Sequence, residues 1–152
     1  MEQIKLFQVA EVQLTYRPKF KASERPRVTS SKDSYNILLE QWDDGKIDYV
    51  EEFKILLLNR GNRVLGIMNV SSGGVSGTIA DPKIIFTAAL KSNASALVLS
   101  HNHPSGTLKP SQPDISLTKK LVDGGKLLDI TVLDHLIVTN EGYYSFADEG
   151  LL

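Results

Sequence analysis

The stretch "ALVLSHNHPSGTLKPSQPDISLTKKLVDGGKLL", residues 96 to 128, joins a short apolar run to a loop rich in proline and glycine, followed by a segment with helical spacing. The run at 96–100 predicts a short buried strand. Apolar residues from Ile115 to Leu127 recur at helical intervals and predict a helix that stops near Gly124 and Gly125. A strand, a loop and a helix in this order are a building unit of sheets covered by helices.

The N-terminal third predicts a strand, a loop and a helix. Residues 4–16 partly alternate polar with apolar side chains and predict a strand. The basic segment 17–32 contains two prolines and predicts a loop. Ser30 or Ser31 can cap a helix that runs to about Trp42.

The middle of the chain predicts a hairpin and a second helix. Two apolar runs, 53–58 and 63–70, flank Asn59-Arg60-Gly61-Asn62, which is a hairpin pattern. The Gly-rich residues 71–77 lack the Lys-Ser/Thr ending of a phosphate-binding loop and predict a turn. Asp81-Pro82 predicts a helix start, with the helix running to about Lys91.

The C-terminal part predicts further strands, at 130–133 and 135–138, with another at 143–146. Helices interleaved with strands that include a hairpin predict an α/β fold with a mixed β-sheet flanked by helices. A length of 152 residues, without internal repeats, predicts one domain over 1–152.

Composition excludes several classes of function. The chain has no cysteine, so disulfides, thiolate nucleophiles and zinc fingers are excluded, and a metal must be held by imidazole, carboxylate and water. No apolar run is long enough to span a membrane, and the charged N-terminus does not resemble a signal peptide. These features predict a cytoplasmic protein without membrane contact.

The formal net charge of -1 indicates no overall affinity for nucleic acid, but residues 17–32 carry six basic side chains against one acidic side chain. This basic segment has two interpretations. It is either a solvated connection or an arm that touches nucleic acid.

Two of the three histidines, His101 and His103, are separated by one residue at the end of the apolar run. In an extended chain, residues i and i+2 project to the same side, so both imidazoles can face one ion. Asp114 would supply a third ligand if the stiff, proline-rich loop folds back. The alternative is that Ser111 and Asp114 only cap a helix and that the two histidines are surface residues.

His135 has no such neighbour in the sequence LLDITVLDHLIV and is interpreted as a hydrogen-bonded histidine of the core or one that supports a ligand. The combined pattern is informative. His101-x-His103-Pro104 followed by Ser111-x-x-Asp114 resembles the JAMM motif of MPN-type metalloproteases, and the string HNHPSG, with Asp114 and LLDITVLDHLIV, is similar to the RadC family. The resemblance covers roughly residues 50–148.

The resemblance implies a cytidine-deaminase-like (JAB/MPN) fold and a Zn²⁺ ion bound by His101, His103 and Asp114. It also implies a glutamate that activates the zinc-bound water and a serine, Ser111, that stabilises the tetrahedral intermediate. Family members carry an acidic residue two places before a phenylalanine that opens the strand, so the resemblance implies Glu51 in EEFKILLL as the base, with the adjacent Glu52 as the alternative.

The implied activity is that of a zinc metalloprotease that cleaves peptide or isopeptide bonds in a substrate the sequence does not identify. Two other functions stay open: a DNA repair or DNA-associated accessory protein, and a folded scaffold that retains zinc with little turnover. The roughly 50 residues before the motif are too few and too β-like for the N-terminal helix-hairpin-helix region usual in this family, so a short form is expected. A zinc deaminase is disfavoured because its cysteine ligands are absent.

Overall fold

The computed structural model describes residues 6–73 and 80–152. Within these ranges the chain forms three α-helices: α1 (Ser31–Gln41), α2 (Pro82–Lys91) and α3 (Gln112–Leu127). The same ranges contain five strands: β1 (Glu52–Leu58), β2 (Val64–Ser72), β3 (Ala96–Asn102), β4 (Thr131–Val138) and β5 (Tyr143–Ser145). A single 3-10 turn, Ala22–Glu24, precedes α1.

The strands form one sheet in the order β2-β1-β3-β4-β5. Strands β3 and β4 are parallel, and the other neighbouring pairs are antiparallel. Parallel neighbours need a crossover connection, which α3 provides here. The predicted α/β fold with a mixed sheet flanked by helices is therefore confirmed.

Alternation along the central strands divides the apolar core between the two faces of the sheet. In β1, Ile55 and Leu57 pack on the side of α2 and α3. Leu56 and Leu58 pack on the opposite side, with residues of α1. A strand covered on both faces buries every side chain, as β3 does along its whole length. Polar residues at the end of β3 must therefore find partners inside the protein.

The predicted helix starts and the hairpin are confirmed. Ser30 caps α1 by accepting a hydrogen bond from the Asp33 backbone N–H at 3.2 Å. Asp81 caps α2 by accepting from the Lys83 N–H at 2.9 Å, and Pro82 occupies the first turn. The hairpin turn places Asn62 at φ 59°, a conformation that asparagine tolerates better than most residues.

The prediction that the last helix stops near Gly124 and Gly125 is wrong, because α3 continues to Leu127. These glycines are there for close packing. A Cβ atom at Gly125 would lie 2.3 Å from the carbonyl oxygen of Ile130, whose N–H donates to the Gly125 carbonyl at 2.8 Å. Glycine at 125 lets the chain return from α3 directly into β4.

The strand predicted at 4–16 is also wrong for the part that the structure describes. Residues 6–16 form no strand, and the side chains of Leu6, Phe7, Val9, Val12 and Leu14 stay exposed. The alternating pattern is present, but in the described part of the chain β2 pairs with β1 and no strand forms on its other side. The segment is attached there mainly through Tyr16, whose hydroxyl donates to the Leu65 carbonyl.

Two smaller differences concern strand lengths. The strands predicted at 130–133 and 135–138 are one strand, β4, whose register against β3 shifts between Leu97 and Val98. β3 extends past Ser100 to Asn102. The turn predicted at 71–77 begins inside β2, and its residues 74–77 lie outside the described residues. In the ranges 6–73 and 80–152, no helix combines the length and apolar character needed to cross a bilayer.

Gly125→Ala should lower the free energy of unfolding by about 1–3 kcal/mol, because the new methyl group would overlap the Ile130 carbonyl. Urea unfolding followed by circular dichroism measures this. The control is Gly66→Ala, since a Cβ atom there meets nothing within 4 Å and should change stability by less than about 0.5 kcal/mol. Equal effects of the two substitutions would contradict the packing role of Gly125.

Candidate metal centre

The two histidines of the His-x-His motif meet at the end of β3. His101 is the second-last residue of the strand and is buried, while His103 follows the strand and is half-buried. Their Nε2 atoms lie 2.9 Å apart. This confirms the prediction that the two imidazoles face the same point.

The other ring nitrogen of each histidine has its own partner. His103 Nδ1 lies 2.7 Å from the Thr107 carbonyl oxygen, which can only accept, so Nδ1 carries the proton in the neutral ring. The Nε2 atom of His103 then has a free lone pair that points toward His101. His101 Nδ1 lies 2.8 Å from Nε2 of the buried His135, which agrees with the interpretation of His135 as a hydrogen-bonded core histidine.

Asp114 reaches the histidines from the first turn of α3. Its Oδ2 atom lies 3.4 Å from His101 Nε2 and 3.6 Å from His103 Nε2. The same oxygen accepts from the Ser111 N–H at 2.8 Å, and the Ser111 hydroxyl accepts from the Asp114 N–H at 3.1 Å, which completes a capping box. Helix capping and contact with the histidines, which the sequence leaves as alternatives, occur together.

The charge on Asp114 is stabilised by its surroundings. Burial alone would raise the pKa of Asp114, but the nearby imidazoles of His101 and His103, together with the Ser111 N–H, outweigh burial and hold this pKa well below the usual range. Asp114 is therefore a carboxylate at every physiological pH. Burial would likewise lower the pKa of His103, but the contact with Asp114 raises it overall.

The two candidate bases lie on opposite sides of the sheet. The Glu51 carboxylate faces the histidines, with Oε1 3.9 Å from His103 Nε2, and the ligand atoms of Glu51, His101 and His103 all lie within 4.8 Å of one another. Glu52 is buried on the other side, where it accepts from the Ser72 hydroxyl at 2.9 Å and lies 3.9 Å from the Lys54 ammonium. Alternation at the start of β1 thus directs Glu51 alone toward the histidines.

Ser111 is exposed at the N-cap of α3, next to Asp114 in the capping box. Its oxygen already accepts the Asp114 N–H, so the hydroxyl proton is free to be donated. The predicted role of Ser111 as an oxyanion donor stays a prediction that this geometry permits.

Asn102, between the two histidines, has a structural role that the sequence pattern did not indicate. It is fully buried, and its side-chain oxygen accepts from the Glu52 N–H at 2.7 Å. Its amide nitrogen donates to the carbonyls of Ile47 at 2.7 Å and Val50 at 2.9 Å. Asn102 thereby fixes the segment that carries Glu51 against the end of β3.

The donor set fits a small tetrahedral ion. Bonds of about 2.0–2.2 Å at tetrahedral angles place ligand atoms roughly 3.3–3.5 Å apart. The separations among His101, His103 and Asp114 are 2.9, 3.4 and 3.6 Å. Glu51 lies slightly farther away, 3.9 Å from His103. The two separations that involve Asp114 are thus closer to tetrahedral spacing than the separation between Glu51 and His103.

Comparison with known proteins identifies a match to the RadC-like JAB domain over residues 28–151. The chain is 46% identical over 125 residues to a UPF0758 protein of Flavobacterium johnsoniae, a match that covers 82% of this chain and 53% of the relative. It is 40% identical over 146 residues to a UPF0758 protein of Porphyromonas gingivalis, covering 95% of this chain and 63% of that one. The chain spans roughly half to two thirds of the length of the curated relatives that it matches.

Asn102→Ala should lower the free energy of unfolding by about 2–4 kcal/mol, because it removes the partner of three backbone groups, two buried and one part-buried. Chemical denaturation measures the loss. Asn140→Ala is the matched control, since exposed Asn140 makes one hydrogen bond, to Asp48, and its removal should cost less than about 0.5 kcal/mol. Similar losses for the two variants would argue against the fixing role of Asn102.

Proposed function

Because the chain belongs to the RadC-like JAB domain family, we propose that it is a zinc-dependent hydrolase that cleaves peptide or isopeptide bonds. One observation carries the proposal: two imidazole nitrogens and one carboxylate oxygen converge at spacings of 2.9–3.6 Å, and a second carboxylate lies beside them. Three protein ligands with one open position are the arrangement of catalytic zinc sites.

His101, His103 and Asp114 would hold the ion. Zinc accepts imidazole and carboxylate ligands, and when bound it lowers the pKa of water to about 7 and polarises a carbonyl group. The anionic Asp114 offsets part of the ion's charge, and its capping box with Ser111 limits its movement. Preorganised ligands of this kind reduce the cost of ordering the site when the ion binds.

Glu51 is the proposed general base. Its carboxylate is half-buried beside His103, where it can take a proton from an attacking water and later deliver it to the leaving amine. The Ser111 hydroxyl, with its proton uncommitted, is the proposed donor to the oxyanion that develops on the substrate carbonyl. Each group thus has a distinct part in amide hydrolysis.

Metal analysis tests the site. Protein purified without added metal should contain about one zinc ion per chain, and His103→Ala and Asp114→Asn should each lose most of it. The control, Glu52→Gln, should retain the ion because Glu52 lies on the other face of the sheet. Another metal at the site would correct the choice of zinc, and unchanged zinc in His103→Ala would refute the ligand set.

A peptide-cleavage screen of the zinc-loaded protein tests the activity. Glu51→Gln should lower the cleavage rate by about 10²–10⁴ while zinc content stays constant, because only the base is lost. Glu52→Gln, which changes the neighbouring residue, should alter the rate only a few-fold. If the wild-type protein binds zinc but cleaves nothing, the chain is a zinc-binding scaffold.

A further inference from the structure

A buried row of hydrogen bonds runs from His101 away from the candidate metal centre. His101 Nδ1 lies 2.8 Å from His135 Nε2, and His135 Nδ1 lies 2.6 Å from the Thr118 hydroxyl. The Thr118 hydroxyl in turn lies 2.7 Å from the Asp114 carbonyl oxygen. The row therefore begins on one proposed ligand and ends on the backbone of another.

The direction of each hydrogen bond follows from the last one. A carbonyl oxygen can only accept, so the single hydroxyl proton of Thr118 points to Asp114. The Thr118 oxygen is then the acceptor for His135, and His135 Nδ1 carries a proton. In a neutral His135 ring, Nε2 is bare and must accept from His101 Nδ1. His101 Nε2 is then the ring nitrogen that faces His103 and Asp114.

The surroundings keep His135 neutral. The ring is fully buried, stacks on Phe146 with centroids 4.5 Å apart, and meets Phe53 edge-on at 5.5 Å. Among the residues that the structure describes, the hydrogen-bond partners of its two nitrogens are His101 and Thr118, and neither is a carboxylate. A charged imidazole in this apolar environment would have no anionic partner, so the neutral ring is favoured.

We propose that His135 and Thr118 are positioning residues that keep a proton on His101 Nδ1, so that Nε2 is the ring nitrogen left to bind a metal ion. Asp114 and Thr118 are one helical turn apart in α3. The same turn therefore supplies the Asp114 carboxylate and, through Thr118 and His135, fixes the proton on His101 Nδ1. The effect on metal binding rests on the proposed function, whereas the tautomer is a property of the metal-free chain.

Long-range ¹H–¹⁵N spectra of metal-free protein at pH 8 test the tautomer. The chain has three histidines, so variants at His103 and His135 assign the signals. We expect Nδ1–H in both His101 and His135 of the wild type. Thr118→Val removes the acceptor for His135 and should give a mixed tautomer at His101, and Thr118→Ser should restore the wild-type pattern. An Nε2–H tautomer at wild-type His101 would overturn the proposal.

The expected consequence for metal binding is a change in zinc affinity, which competition with a metal indicator measures. Thr118→Val should raise the zinc Kd about 10–100-fold, and Thr118→Ser should stay within a few-fold of the wild type. Thr87→Val is the matched control, since Thr87, on the exposed side of α2, makes the same kind of bond to the carbonyl four residues earlier, that of Lys83. It should leave the Kd unchanged.

The outcomes separate this inference from the proposed function. If the wild type binds no zinc, the proposed function fails, and the tautomer spectra alone decide the role of His135 and Thr118. If folded Thr118→Val binds zinc as tightly as the wild type with an unchanged His101 tautomer, this inference is wrong while the ligand set stands. Should Thr118→Val not fold, His135→Gln replaces it, because glutamine retains an acceptor for His101 and should preserve the wild-type tautomer.

Discussion

The alternation of side chains at the end of β3 is the constraint on which the site depends. Every residue of β3 is buried, so neighbouring residues must satisfy opposite faces of the sheet. His101 points to the side of α2 and α3, where Asp114 and His135 meet it. Asn102 points to the other side and binds the segment before β1. His101 thereby faces the candidate metal centre, while its neighbour Asn102 holds the start of β1, next to the candidate base Glu51.

The helix cap of α3 serves the site without a separate structural element. Asp114 is the third residue of the helix, and its Oδ2 both accepts the Ser111 N–H and faces the two imidazoles. The partial positive charge of a helix N-terminus favours a carboxylate at that position. Residues that begin the crossover helix are therefore the residues that complete the candidate metal centre, which ties the site to the parallel pairing of β3 with β4.

Local signals predicted much of this arrangement. Caps at Ser30 and Asp81, the hairpin and the His-x-His pair each depend on neighbours in sequence, and the family resemblance supplied Glu51. The predictions that failed concern contacts between residues that are not neighbours in the sequence. The backbone of Ile130 explains the glycine at 125, where the chain returns from α3 to β4. Residues 6–16 alternate like a strand but do not pair with the edge strand β2. The partners of Asn102 lie about 50 residues upstream, so no spacing could reveal them.

The two edge strands of the sheet are shorter or less regular than the central strands, and this affects whether two copies of the sheet can pair edge to edge. β5 has only three residues, and β2 is regular against β1 only between its two register shifts. An open edge with a long, even row of free backbone groups invites a strand from another molecule. Here neither edge of the five-strand sheet offers such a row, and Tyr16 occupies the Leu65 carbonyl at one irregular point. The register shifts of β2 and the short length of β5 thus disfavour the edge-to-edge stacking that leads to aggregation.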